Sequence, residues 1–167
     1  SSLDGVGVSA TFNIPVGITI NSNGVLYLAD QSGHRIRRIS TSAVVTTYAG
    51  SGSASYTDGV GTNAAINTPR GVAVDSVGNL FVIDWGDSRV RMISTGGVVS
   101  TVVLGGSAGY ADGVSSVARF NIASGGIGVD SNVNLYVADH WNHRLRKVTS
   151  SGLVTTLAGS GIAGYAD

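Results

Sequence analysis

The chain has 167 residues, of which 43% are hydrophobic and 25 are glycine, and its ten basic and ten acidic residues give a formal net charge of zero. A balanced charge argues against nucleic-acid binding through phosphate contacts, because proteins that bind in this way usually carry a basic field. The absence of cysteine excludes disulfides and thiolate chemistry, and no apolar run reaches the roughly 18 residues of a membrane-spanning helix.

Three copies of one unit follow each other along the chain. The clearest marker is an apolar run that ends in aspartate and precedes an arginine-rich run: YLADQSGHRIRRI (27–39), FVIDWGDSRVRMI (81–93) and YVADHWNHRLRKV (136–148). The aligned aspartates are Asp30, Asp84 and Asp139, so the spacing is 54 and then 55 residues. A repeat of this length indicates a modular fold in which neighbouring units pack on each other.

Each unit reads as four short strands separated by Gly, Asn, Ser and Asp turn residues. In the second unit the predicted strands are residues 71–75, 79–84, 88–93 and 97–103, and a long loop leads to the next unit. Four strands per unit at this period are typical of a β-propeller blade. The sequence therefore predicts an all-β chain with a single repeat domain. It consists of blade 1 at about 1–49, blade 2 at about 50–104, blade 3 at about 105–158 and the start of a further connecting loop at 159–167.

The strand composition predicts how the blades are arranged. The first strands alternate small and branched residues, as in Gly71-Val72-Ala73-Val74, which suits a crowded inner strand at the axis. Propellers close with roughly four to eight blades, so three blades leave two apolar faces uncovered. We therefore expect a homodimer in which blade 3 of each chain packs on blade 1 of the other and closes a six-bladed ring. The alternative is that the chain is half of a longer propeller.

The units resemble NHL repeats, which build six-bladed propellers. The residues that carry the resemblance are PVGITINSNGVLYLADQSGHRIRRI (15–39), PRGVAVDSVGNLFVIDWGDSRVRMI (69–93) and GGIGVDSNVNLYVADHWNHRLRKV (125–148). The departures are Asn21 in place of the first-strand Asp, Ala123 in place of proline and one extra residue near Ser124 and Gly125, where we expect a bulge or kink. The resemblance implies a non-catalytic module for binding or assembly.

Charged residues at fixed repeat positions are predicted to hold turns. Each strand-ending aspartate precedes an arginine by five residues, which a hairpin brings opposite, and the predicted ion pairs are Asp30–Arg35, Asp84–Arg89 and Asp139–Arg144. Asp58 and Asp112 each precede a glycine in a long loop, where a turn held by the Asp side chain is favoured over a calcium site. For His34 and His143, a hydrogen bond within the hairpin turn is favoured over a metal site.

Candidate ligand-binding residues gather on one face. In a blade of four antiparallel strands, the turn between strands two and three and the long loop leave the sheet at the same face. That face collects aromatic and small polar side chains, which is the composition of a recognition surface for a peptide or a glycan. The candidates are Trp85, Asp87, His140, Trp141, Asn142 and Tyr110, with Tyr56 and Tyr165 at equivalent loop positions. The alternative is that the tyrosines pin their own loops and the tryptophans cover neighbouring blades.

Two classes of function are open. The first is a non-catalytic scaffold whose partners are a second copy of the chain and an unidentified peptide or glycan. The second is a metal-dependent, lactonase-like hydrolase or lyase, which would hold its metal with polar residues in the axial channel. The inner strands offer only Asn21, Asp75 and Asp130 for that purpose, so no catalytic residue, metal or cofactor is predicted. The low lysine content and the Ser/Thr/Gly-rich loops favour an extracellular or secreted bacterial protein.

Overall fold

Three antiparallel sheets of five strands follow each other along residues 2–122 and 126–164, which the computed structural model describes. Blade 1 is β1 (Gly5–Val6), β2 (Pro15–Ile20), β3 (Leu26–Asp30), β4 (Arg35–Ile39) and β5 (Val44–Ala49). Blade 2 is β6 (Gly59–Val60), β7 (Pro69–Val74), β8 (Leu80–Asp84), β9 (Arg89–Ile93) and β10 (Val98–Val103). Blade 3 is β11 (Gly113–Val114), β12 (Ile127–Val129), β13 (Leu135–Asp139), β14 (Arg144–Val148) and β15 (Leu153–Ala158). The predicted all-β fold of successive blades is confirmed. Among the described residues, no helix has the length and apolar character needed to cross a membrane.

Four strands of each blade are those that the sequence predicts, and a fifth is added at the outer edge. In blade 2 the predicted and observed strands begin and end within two residues of each other. The strand order is β6-β10-β9-β8-β7, so the first short strand of the blade pairs with its last one. In this edge pair Val60 lies opposite Val98 and Gly59 lies opposite Val99. Two residues are too few to show an alternating apolar pattern, so the sequence does not signal this strand.

A single 3-10 turn joins the second and third predicted strands of every blade. The turns are Gln31–Gly33, Trp85–Asp87 and His140–Asn142. Each is followed by a residue with a left-handed backbone, and these residues are His34, Ser88 and His143 with φ angles of 52°, 50° and 51°. Such a conformation is uncommon outside glycine, so its recurrence shows that the three hairpins are built alike.

The inner strands of neighbouring blades lie beside each other. Strand β2 contacts β7, and β7 contacts β12. Gly17 has no room for a side chain at the first of these contacts, because a Cβ atom there would overlap the Arg70 carbonyl. This close approach is the physical reason for the small residues of the inner strands. The bulge predicted near Ser124 and Gly125, together with Ala123, lies outside the described residues.

The hydrophobic core consists of two layers, and each layer lies between two blades. In the first layer, Tyr27, Ile36 and Ala49 of blade 1 pack against a set from blade 2 that includes Ile66 and Val72. The second layer repeats this arrangement between blades 2 and 3, and its members include Phe81, Ile83, Val90, Val103, Phe120, Ile122 and Val137. Each blade thus has two different apolar faces, one for the blade before it and one for the blade after it.

Candidate functional site

One buried arginine lies at the centre of each blade and fixes the framework of the candidate face. Arg37, Arg91 and Arg146 are fully buried. Each donates from Nη1 to the aspartate that ends the preceding strand, and the distances are 3.2 Å to Asp30, 2.8 Å to Asp84 and 2.7 Å to Asp139. The pairing predicted from the sequence, with Arg35, Arg89 and Arg144, is therefore wrong by two residues.

The displaced pairing follows from what the two arginines of each strand can reach. Arg35 lies directly opposite Asp30 in the strand register, yet its guanidinium donates to the Gly33 carbonyl at 3.1 Å. Arg37 points to the same side of the sheet, because side chains two residues apart share a face. From that position its guanidinium reaches both Asp30 and the Thr11 carbonyl, 3.1 Å away in the loop. The offset along the sequence cannot distinguish two arginines that share one face.

These ion pairs also hold the long loops on the blades. In blade 2, Arg91 donates from Nη2 to Asp58 at 2.7 Å. Asp84 accepts the backbone N–H of Asn67 at 2.8 Å, so the returning end of the same loop is held as well. Asp112 makes the contact equivalent to that of Asp58 in blade 3, at 2.6 Å from the buried arginine. The aspartates and arginines of this network therefore have structural roles.

Burial raises the pKa of Asp84 to about 7. Desolvation of the charged carboxylate outweighs the attraction of Arg91 and the hydrogen bond from Asn67. The neighbouring Asp87 carboxylate repels the charge and raises the pKa further. Asp84 therefore changes its protonation near neutral pH although it lies inside an ion pair.

Two tyrosines of the long loops stack on arginines. The Arg89 guanidinium carbon lies 3.6 Å from the ring centre of Tyr56, and that of Arg144 lies 3.9 Å from the ring centre of Tyr110. Cation–π contacts of this kind hold the loop against the sheet. This geometry favours the reading in which the tyrosines pin their own loops, although Tyr110 stays partly exposed. Tyr165, at the equivalent position, lies outside the described residues.

The two tryptophans have different environments. Trp85 is half-buried against the core layer between blades 2 and 3, and the Arg70 guanidinium carbon lies 3.8 Å from its ring centre. Trp141 is 59% exposed, and its ring meets that of His140 edge to face with 4.8 Å between ring centres. His140 is exposed as well. Trp141 and His140 therefore form an aromatic patch that is open to solvent, whereas Trp85 packs between blades.

The polar candidates beside the tryptophans belong to the framework. Asn142 donates from Nδ2 to both carboxylate oxygens of Asp139, at 3.0 and 2.9 Å. Asp87 is half-buried, and its backbone carbonyl accepts the Gly106 N–H at 3.1 Å. Of the six candidate ligand-binding residues, the aromatic patch and the exposed edge of Tyr110 are the parts that face solvent.

A histidine links blade 1 to blade 2. The Thr68 backbone N–H donates to His34 Nδ1 at 3.1 Å. The hydrogen bond expected within the hairpin turn is thus replaced by one between blades. Both residues have a left-handed backbone, with φ angles of 52° at His34 and 58° at Thr68. Sequence reasoning missed this contact because no periodic signal connects two residues of different repeats.

The polar residues at the ends of the inner strands cap turns. Asp75 Oδ1 accepts the Asn79 N–H at 2.8 Å, and Asn21 Oδ1 accepts the Val25 N–H at 3.0 Å. Hydrogen bonds from the Asn134 side chain and backbone hold the pKa of Asp130 below its usual range. Within residues 2–122 and 126–164, no group of three or more His, Asp or Glu side chains is placed to hold a metal ion.

Comparisons with known proteins agree with this architecture. Residues 12–39 match the family model described as NHL repeat. The chain is 35% identical over 91 residues to the chloroplastic protein Suppressor of Quenching 1 of Arabidopsis thaliana, which covers 54% of this chain and 9% of that protein. It is 36% identical over 98 residues to NHL repeat-containing protein 2 of Bos taurus, with 58% and 13% covered.

Among solved structures, a protein of unknown function from Bacteroides thetaiotaomicron is similar to the chain with a TM-score of 0.72 at 25% identity. The similarity covers 87% of this chain and 36% of that one, so the chain spans only a minor part of each of these three relatives. The chain therefore carries an NHL repeat at residues 12–39, and its three sheets are blades of the β-propeller fold.

Proposed function

We propose that the chain is a non-catalytic scaffold that pairs with a second copy of itself and binds a peptide or a glycan on the face that carries the aromatic patch. One observation carries the proposal. The outer faces, which are the faces of blades 1 and 3 that point away from blade 2, expose repeat positions that are buried where two blades meet. The β-propeller fold with its NHL repeat is consistent with a scaffold or binding role.

The outer face of blade 1 exposes side chains whose counterparts in later blades are buried. Ile14 is 56% exposed, whereas Ile122 at the same repeat position is 1% exposed. Ile18 is 57% exposed, whereas its counterpart Val72 is 7% exposed. In blades 2 and 3 these positions are covered by the preceding blade. The outer face of blade 1 is thus one half of a core layer.

The outer face of blade 3 has the complementary character. Leu145 is 37% exposed, whereas its counterpart Ile36 is fully buried by blade 2. Ala158 is exposed, whereas its counterpart Ala49 is fully buried. Leu157 adds a further exposed apolar side chain. Contiguous apolar surface of this kind marks an interaction site.

A second copy of the chain fits both faces at once. Blade 3 offers blade 1 of another chain the same kind of surface that blade 1 offers blade 2 within the chain. The proposed contact therefore repeats one that the chain already makes between its own blades. A two-fold axis forms this contact twice and covers all four outer faces. The result is a six-bladed ring, which lies in the size range of closed propellers.

The ligand face is proposed from the exposed aromatic patch of Trp141 and His140. Large aromatic side chains among small polar ones supply much of the binding energy in recognition surfaces. A metal-dependent enzyme is less well supported, because Asp75 and Asp130 already accept hydrogen bonds from turn groups. Added calcium or zinc should therefore leave the Tm unchanged, and a rise of several degrees would favour the enzyme.

Sedimentation equilibrium tests the pairing, with an expected mass of twice the 16.8 kDa of one chain. Each contact joins the outer face of blade 1 from one chain to the outer face of blade 3 from the other. Ile18→Asp and Leu145→Asp should therefore each yield monomers. A mixture of the two variants should recover dimers with one intact contact. Dissociation by only one of the two variants would indicate that like faces pair, and a monomeric wild-type chain would refute the proposal.

A further inference from the structure

The contact between blades 1 and 2 contains side-chain hydrogen bonds as well as apolar packing. His34 Nδ1 accepts the backbone N–H of Thr68, where the loop enters the inner strand of the next blade. Both residues have left-handed φ angles, so the donor and the acceptor are held by backbone conformation as well as by packing. Tyr48 Oη also donates across this contact, to the Ser94 and Thr95 carbonyls at 3.1 and 3.3 Å, but its counterpart in blade 3 is Leu157, whose side chain has no donor.

The same donor and acceptor positions recur on the two outer faces. His143 follows the 3-10 turn of blade 3 with a φ angle of 51°, as His34 does in blade 1, and it is exposed. Ile14 precedes the inner strand of blade 1 with a φ angle of 57°, as Thr68 does in blade 2, and it is exposed. The described hydrogen bonds of Ile14 use its carbonyl, which accepts the Gln31 N–H.

We propose that His143 accepts the backbone N–H of Ile14 from a second copy of the chain, once at each of the two contacts, and that this bond sets the register and the pH sensitivity of assembly. The inference rests on the proposed pairing. A neutral imidazole accepts a hydrogen bond through one ring nitrogen, whereas the protonated ring only donates. Protonation of His143 therefore removes the acceptor, and the imidazole N–H then points at the backbone N–H of Ile14.

The charged surroundings of His143 do not oppose this effect. On its own chain the nearest titratable neighbours in sequence are His140 in the turn and Arg144 on β14, and loop residues 159–164 carry no charge. On the second chain, the entering segment 13–15 is uncharged. Asp30 lies beneath that segment and is buried, and its carboxylate accepts the Asn13 N–H at 2.6 Å. These groups include no exposed carboxylate that could pair with a protonated imidazole.

Association of the wild-type chain and of His143→Asn, measured by sedimentation between pH 8 and pH 5.5, tests the inference. The asparagine keeps an acceptor, tolerates the left-handed backbone and does not titrate. We expect the Kd of the wild type to rise about tenfold or more as the pH falls, because two hydrogen bonds are lost per dimer. The Kd of His143→Asn should stay nearly constant. His34→Asn is the matched control, and its Kd should keep the pH dependence of the wild type.

The outcomes separate this inference from the pairing itself. A wild-type dimer whose Kd does not change with pH, or a His143→Asn variant with the same pH dependence, overturns the inference and leaves the pairing intact. A chain that is monomeric at pH 8 overturns the pairing and the inference together. Asp84 titrates in the same range but belongs to blade 2, so its effect is common to the wild type and both variants.

An engineered disulfide checks the register independently, because the chain has no cysteine of its own. The double variant Ile14→Cys, His143→Cys should form a covalent dimer on oxidation. The matched pair His34→Cys, Thr68→Cys should form a bond within one chain, which shows that the geometry permits a bridge. Closure of the matched pair without any covalent dimer of the first variant would overturn the proposed register.

Discussion

Truncation of one apolar side chain on the outer face of blade 1 should weaken the pairing without unfolding the chain. Ile18 is suited to this test because it lies on β2 and is 57% exposed, whereas the equivalent Val72 is covered by the neighbouring blade. The Ile18→Ala variant keeps the strand and removes most of the apolar side chain. It introduces no charge, so its effect reports burial alone.

The magnitude follows from the exposed fraction. Complete burial of an isoleucine stabilises a structure by about 1.5–3 kcal/mol. Burial of the remaining exposed half, less the methyl group that alanine retains, is worth about 1 kcal/mol at each contact. The two-fold dimer has two such contacts, so the loss is about 2 kcal/mol, which corresponds to a rise in Kd of about 30-fold.

The assay is a dilution series of the wild type and of Ile18→Ala in the analytical ultracentrifuge. Val77→Ala is the matched control, because Val77 is 71% exposed in a turn of blade 2 that belongs to neither outer face. Its Kd should equal that of the wild type, and the Tm of all three dilute monomers should agree closely. Equal dissociation constants for Ile18→Ala and the wild type would refute the reasoning, as would an equal loss in Val77→Ala.

Three further predictions concern the buried ion pairs and the aromatic patch. Because folded Asp84 keeps a proton that the unfolded chain releases near its ordinary pKa of 3.8, the free energy of unfolding should fall as the pH rises from about 4 to about 7, by at most about 1.4 kcal/mol per pH unit. Denaturant titrations across this range check the slope, and a flat profile contradicts it. Arg91→Met should lower the free energy of unfolding at pH 8 by about 3–5 kcal/mol, because the ionised Asp84 carboxylate loses its buried cation, and a loss below about 1 kcal/mol in urea denaturation contradicts this role. Trp141→Ala should abolish retention on a peptide or glycan array while leaving the Tm nearly unchanged, whereas Trp85→Ala should lower the Tm through lost packing. Unchanged retention of Trp141→Ala speaks against the ligand face.

The sequence predicts the blades well because strand positions are encoded locally. Apolar runs such as residues 80–84 are bounded by turn residues, and the same pattern recurs in three units. The outer strand Gly59–Val60 leaves no such pattern, because its pairing with β10 depends on where the long loop is held. That loop is held by Arg91, whose partners come from three separate segments of the chain: residues 57–58, Ala65 and Asp84. The alternating pattern within one strand cannot predict that separate segments of the chain meet at one arginine.

The candidate site is predicted less completely, because its residues acquire their roles from neighbours in other segments. The sequence places Trp85 and Trp141 at nearly equivalent positions, yet one packs between blades and the other faces solvent. The two residues differ by one turn position, because Trp85 aligns with His140, and Trp141 aligns with Gly86, which is exposed in blade 2 as well. The hydrogen bond from Thr68 to His34 joins two blades, so no pattern within one repeat signals it.

The composition of the outer face of blade 1 gives an independent reason to regard it as a contact surface. Thr68 and Arg70 in blade 2 occupy the positions of Ile14 and Val16 in blade 1, and both blade 1 residues are exposed. The contact between blades 1 and 2 thus tolerates polar side chains at these two positions of blade 2, whereas the outer face of blade 1 carries branched apolar side chains there. A face that stays exposed to solvent would instead be expected to carry the polar side chains, because contiguous exposed apolar side chains promote association. Since Ile14 and Val16 adjoin Ile18 on the same inner strand segment, this face is more apolar than the equivalent face of blade 2, and a second chain is the partner whose own exposed face matches it.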